Sequence, residues 1–104
     1  MFLTSLIREW KELTRFRALE PGSRSIVFYA EDFSSWTDFE PIVRELTGAL
    51  GKRICYVTSS KDDQILDLNE TSIRTFCIGA GTARRNFFSS LEADVMVMTM
   101  PDLG

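Results

Sequence analysis

Four short apolar runs punctuate the chain: residues 25–30 (SIVFYA), 53–58 (RICYVT), 73–78 (IRTFCI) and 94–100 (DVMVMTM), each separated from the next by a polar or helically spaced stretch. Runs so rich in β-favouring residues and so little interrupted by polar ones read as strands buried on both faces. Strands that alternate with helices connect through right-handed crossovers and build a parallel sheet with helices on its faces. The expected fold class is therefore α/β: a Rossmann-like parallel sheet of about four strands in the order 3-2-1-4. The third run carries Arg74 and Thr75 and has the composition of an edge strand.

Helical spacing fills the intervals. Leu3, Leu6, Ile7, Trp10, Leu13 and Phe16 recur along one face of residues 2–18, so residues 1–19 form an amphipathic helix. The breaker cluster at 20–24, with Pro21 and Gly22, reads as a linker, and residues 25–104 as the Rossmann-like domain. Thr37-Asp38-Phe39-Glu40 fits a capping box, Pro41 then falls in the first turn, and Gly51 suits the left-handed residue after a helix end. Phe39, Ile42, Val43, Leu46 and Leu50 form the stripe expected to face the sheet. A single turn is expected at 65–68 and a further helix from about 83 to 91. The fourth strand runs into Pro101-Asp102-Leu103-Gly104 with no helix after it. Either the N-terminal helix folds back over that end of the sheet, or the domain is incomplete and the chain is a piece of something longer.

Composition narrows the function. A formal charge of -3 on 104 residues argues against a general nucleic-acid binder. The charge is uneven: residues 1–24 hold five basic and three acidic side chains, against seven and twelve in the remainder. The basic segment coincides with the amphipathic helix. That helix admits two readings, cover for the sheet or a partner domain, or a surface helix on an anionic membrane with Phe2, Leu6, Trp10 and Leu13 inserted. No apolar run approaches the ~20 residues of a membrane span, so the expected location is cytoplasmic, with peripheral attachment at the inner membrane face as the second reading. Cys55 and Cys77 lie inside strands, there is no C-x-x-C spacing, and no histidine occurs. They read as buried reduced thiols, and neither a metal nor a cofactor is expected.

Ligands of open parallel sheets bind beyond the carboxyl ends of the strands. Here those ends carry Glu31 and Asp32, the polar run 59–63, the turn Gly79-Ala80-Gly81-Thr82, and Asp102. The stretch CIGAGTARRNFF begins like a phosphate loop, yet it follows the third strand, has Arg84 where a dinucleotide fingerprint has its third glycine, and lacks the G-K-[ST] of a P-loop. Two readings stay open. In one, free N–H groups, the helix dipole and Arg84 or Arg85 attract a phosphate or carboxylate, with Thr82 as the cap. In the other, the stretch is a tight turn between strand and helix. Asp62 and Asp63 read as solvated loop acids, and Phe33 with Trp36 as either a stacking surface for a sugar or a hydrophobic staple.

The segments IVFYAEDFSSWTDFEPIVREL, ICYVTSSKDD, IRTFCIGAGTARRNFF and ADVMVMTMPDLG together resemble the N-terminal region of bacterial CDP-glycerol glycerophosphotransferase-like proteins, relatives of the teichoic-acid primases and polymerases. The resemblance covers residues 25–104 and rests on dispersed segments. It implies a GT-B architecture, an acceptor-side first domain, a donor-side second domain for the CDP-activated group, no metal in the chemistry, and a phosphate-containing or glycan acceptor at the cytoplasmic face. It also implies that Glu31, Gly79, Gly81 and Arg84 face the cleft between the domains. The donor domain falls outside these residues, so a missing C-terminal domain or self-association is the expected partner. No catalytic residue is assigned, and the chain alone is expected to be inactive. The competing class is a free-standing, non-catalytic Rossmann-like module that binds a small anion or a protein.

Overall fold

A computed structural model describes the backbone of residues 2–98 and the side chains of residues 4–98. Its helices are α1 (Phe2–Arg17), α2 (Trp36–Thr47) and α3 (Thr82–Ser89); its strands are β1 (Ile26–Ala30), β2 (Ile54–Thr58), β3 (Ile73–Cys77) and β4 (Val95–Met98). The strands form one parallel sheet in the order β3-β2-β1-β4. β1 lies in the middle, pairing Val27 with Cys55 of β2 on one side and with Met96 of β4 on the other. The chain thus has the α/β class and strand order that its apolar runs imply.

Period-two alternation splits the central strands between two cores. Val27, Tyr29, Cys55 and Val57 point to one face, where Leu13 and Phe16 of α1 and Ala83 and Phe87 of α3 cover them. Phe28, Ala30, Ile54 and Tyr56 point to the other, beneath Trp36, Phe39 and Val43 of α2. Edge-on aromatic pairs knit the first core: Phe16 meets Phe76 and Phe87, each with ring centroids 5.4 Å apart. Each such side chain contributes roughly 1.5–3 kcal/mol by burial, and the ring contacts add about 1 kcal/mol.

Local details depart from the sequence reading at α2. The helix starts at Trp36, two residues early, because Phe33–Ser35 forms a 3-10 turn whose N-cap Asp32 accepts from the Ser34 N–H at 2.9 Å. Thr37 is therefore already helical and no capping box forms. Pro41 sits inside the helix, where its missing N–H leaves the Thr37 carbonyl without a helical donor; both residues are exposed, so water reaches that group. The helix ends at Thr47, earlier than Leu50, and Lys52 N–H returns to Leu46 O at 2.8 Å through the left-handed Gly51, φ 61°. Leu50 falls beyond that end and is 59% exposed, and Ile42, inside the helix, also leaves the predicted stripe at 46% exposed. The predicted linker is in part a 3-10 turn, Pro21–Arg24, and the turn expected at 65–68 is one at Gln64–Asp67.

The course of α1 is the larger correction to expectation. It packs on β3 and α3, at the opposite side of the sheet from β4, so it does not fill the gap beside the fourth strand. Trp10 Nε1 donates to Thr82 Oγ1 at 3.1 Å, and Arg17 donates to Asn86 Oδ1 and Ser90 Oγ, so polar contacts fix both ends of the α1–α3 contact. Val95 and Met98 of β4 remain 48% and 38% exposed.

Candidate functional site

The carboxyl ends of β1 and β2 and the first turn of α3 converge on one polar group. Arg84, on the crossover helix from β3 to β4, directs Nη1 to Glu31 Oε2 at 3.3 Å and to the Tyr29 hydroxyl at 3.4 Å. Tyr29 in turn shares a hydrogen bond with the Ser59 hydroxyl just beyond β2. Arginine can only donate, so Tyr29 accepts from it and its own proton is free for Ser59. The Tyr29 hydrogen bond first, and then the Glu31 charge, hold the Arg84 guanidinium above its ordinary value despite partial burial. Arg84 stays charged. Its ion pair with Glu31 is loose, with the two side chains 32% and 52% exposed. Such a pair is worth about 1 kcal/mol or less, so a ligand oxyanion can replace Glu31 at little cost.

This constellation lies beside β1, where the strand order reverses between β2 and β4. That reversal is the position at which open α/β sheets offer a crevice. Of the residues singled out from the sequence, Glu31 and Arg84 meet here; the others do not. Asp32 is taken up in capping: the Ser34 hydroxyl and then its N–H bond to the carboxylate and hold it below the usual carboxylate range. Asp102 lies outside the described residues.

The glycine turn serves a different contact. Gly79 is buried at φ 70°, and a Cβ there would overlap the carboxylate of Glu9 from α1. Only glycine meets both conditions. Gly81 occupies the N-cap position of α3 with open space around it, and Thr82 is the first helical residue, accepting from Trp10 instead of capping. A cavity of about 310 Å3 remains between the two helices, lined by Ser5, Leu6, Glu9, Ala80, Gly81 and Thr82. The Glu9 carboxylate thus already stands beside Gly79 at this turn. Arg85 is exposed and does not join the turn.

The inserted face proposed for a membrane is largely spoken for. Leu13 is 1% exposed inside the core, and Trp10 is half-buried with its N–H on Thr82. Leu6 is half-buried at the rim of α1, and the Phe2 side chain lies outside the described residues. Burial against β3 is the reason Leu13 cannot face lipid. Among the described residues, no helix is long and apolar enough to cross a membrane.

Two further expectations change. Asp63, read as a solvated loop acid, is 2% exposed, accepting from the Tyr56 hydroxyl at 2.7 Å and from Ile65 N–H at 3.0 Å. Burial, and then the Asp63 bond, push the Tyr56 phenol well up, so this pair locks the β2–β3 connection and offers no ligand. Trp36 is buried edge-on against Tyr56, with centroids 5.7 Å apart, and presents no stacking surface. Among the described residues, no three His, Cys, Asp or Glu side chains gather as a metal would need.

Sequence reasoning missed Tyr29 and Glu9. Tyr29 reads as one more apolar strand residue; its place one residue from the end of β1 was the available signal. Glu9 carries none, because its role depends on where α1 docks. Comparison with models of protein families, with curated proteins and with solved structures finds no match to this chain.

Proposed function

We propose that the chain is the acceptor-side, Rossmann-like part of a glycerophosphotransferase-like enzyme of GT-B architecture, which moves glycerol phosphate from CDP-glycerol to a cell-envelope glycan or lipid-linked acceptor. The observation that carries this reading is Arg84 at the switch point, charged, half-released from Glu31 and backed by Tyr29 and Ser59. A guanidinium so placed suits a phosphate ester on an acceptor, and Glu31 suits a neighbouring hydroxyl. The resemblance over residues 25–104 supplies the reaction class, and the same reading puts the protein at the cytoplasmic side of the envelope. With no histidine in its sequence, the chain holds no general base of the commonest kind and catalyses no transfer by itself.

The test is a titration of the chain with sn-glycerol 3-phosphate, followed by amide chemical shifts. Saturable changes at Glu31, Ser59 and Arg84, weakened about tenfold by Arg84→Ala, are expected for one lost charge-assisted contact. Changes that survive Arg84→Ala, or none, overturn the acceptor assignment. Glycerol phosphate transfer from CDP-glycerol by these residues alone overturns the half-enzyme reading.

One observation favours the second reading, a self-sufficient binding module: every buried side-chain nitrogen and oxygen among the described residues has a hydrogen-bond partner. The mass of the protein in its own cells separates the two. A band of several tens of kilodaltons supports the two-domain transferase, and one near 11.9 kDa supports the module.

A further inference from the structure

A second cavity, about 390 Å3, opens on the outer side of β3, away from the Arg84 group. Its walls include Arg8, Glu12 and Arg15 from α1, Lys61 from the loop after β2, and Thr75 and Cys77 from β3. Three cations thus surround one carboxylate on a chain whose overall charge is -3. The carboxylate is already consumed. Glu12 receives Arg15 Nε at 2.9 Å and Nη2 at 3.0 Å, and also the Cys77 N–H at 3.3 Å. Arg15 is equally occupied, donating to Thr75 O at 2.6 Å and lying 4.2 Å over the Phe76 ring.

Arg8 and Lys61 are different. They come from separate elements, α1 and the loop after β2, to line the same cavity, and neither has a hydrogen bond or ion pair among the described residues. Cys77 adds no compensating charge, since burial, with Glu9, Glu12 and Asp63 acting in the same direction, pushes its thiol up and keeps it neutral. Asp62, the acid next to Lys61 in sequence, is exposed and does not line the cavity. Leu66 contributes an apolar wall beside the thiol. The volume lies within the roughly 300–1,000 Å3 of small-molecule sites.

We propose that this cleft binds a phosphorylated small molecule, its phosphate clamped between Arg8 and Lys61 and its carbon body against Leu66 and Cys77. Arginine offers the phosphate a two-pronged donor and lysine a compact charge, a pairing suited to a terminal phosphate with several free oxygens. The site shares no residue with the Arg84 group, so it stands whether or not the acceptor assignment does.

Amide chemical shifts of the full chain, titrated with inorganic phosphate and then with phenyl phosphate, test the proposal. Saturable changes at Lys61, Leu66, Thr75 and Cys77 are expected, with phenyl phosphate the tighter probe because its ring adds apolar contact. The double variant Arg8→Gln, Lys61→Gln alters only exposed positions, so its melting temperature should match the parent while both affinities fall about tenfold or more. The single variant Arg8→Lys keeps the charge but loses the two-pronged contact, so it should bind more weakly than the parent and more tightly than the double variant. Four outcomes overturn the proposal: no shifts up to about 10 mM phosphate, the millimolar limit of useful small-ligand affinity; shifts confined to Gly81 and Arg84; shifts unchanged in the double variant; or equal shifts from chloride at matched ionic strength. Sedimentation with anionic phosphatidylglycerol vesicles, lost in the double variant but unaccompanied by phosphate shifts, would also overturn it by making a membrane the partner.

Discussion

At the β3 edge of the sheet, α1 takes the outward backbone groups into its own hydrogen bonds, whereas along β4 no side-chain hydrogen bond is made among the described residues. Just past β3, Ile78 N–H turns inward to Thr58 O, while Thr75 and Cys77 within the strand turn outward to Arg15 and Glu12. A salt-bridged pair on a helix has closed an edge that would otherwise recruit another strand. β4 shows the opposite treatment, with Val95 and Met98 exposed and no charged residue within the strand. The contrast teaches that, among the described residues, the sheet is closed along β3 and uncovered along β4, and that α1 is the agent of the difference.

The comparison breaks most severely if α1 is undocked. Phe16→Ala removes a ring that meets Phe76 and Phe87 in the first core, and urea unfolding should show a loss of about 3–5 kcal/mol. A loss below about 1 kcal/mol would mean that α1 contributes little to the fold.

Next in size is an alkaline effect from beneath the same helix. Burial raises the Cys55 thiol from 9.0 to about 11, and it donates to Ser23 O at 3.3 Å. The raised value means the folded state prefers the protonated thiol; its full contribution is present below pH 9 and is lost as pH rises from 9 towards 11. The loss is of order 1–3 kcal/mol, and Cys55→Ala should flatten that part of the stability profile. A profile identical in Cys55→Ala would show that the thiol is not the source.

Arg15→Ala tests the closed edge itself. It frees Thr75 O and weakens the hold on Glu12, for an expected loss of about 1–2 kcal/mol together with concentration-dependent association by sedimentation velocity. The smallest effect belongs to the open edge. Val95→Lys should change stability by no more than about 0.5 kcal/mol, yet lower any self-association of the parent chain, because an edge lysine resists strand pairing. Association unaffected by Val95→Lys but raised by Arg15→Ala would reverse the assignment of the two edges.

Much of the architecture was legible because it rests on short-range pattern. The apolar runs at 26–30, 54–58 and 73–77 are strands, and the alternation of strands with helices fixes the order 3-2-1-4. The start of α2 was not, since Ser35 and Thr37 are both acceptable caps and only the Asp32–Ser34 turn decides between them. The destination of α1 was hidden for a different reason: Leu13 and Phe16 make a stripe that would suit lipid, the β4 gap or the β3 edge equally well. At the candidate site, Glu31 and Arg84 could be nominated from their places at a strand end and a helix start. Their partners Tyr29 and Ser59, like Glu9 at Gly79, depend on distances across the fold that no local spacing encodes.

The docking of α1 also orders events in time. Its contacts run from Trp10 to Thr82 and from Glu12 to Cys77, separations of 72 and 65 residues. During synthesis at about 5–20 residues per second, the helix must wait roughly 4–14 seconds after it leaves the ribosome before its binding surface exists. Throughout that interval Leu13 and Phe16 have nothing native to cover them, and the early helix, not the late strands, is the segment that spends longest with its apolar face in water.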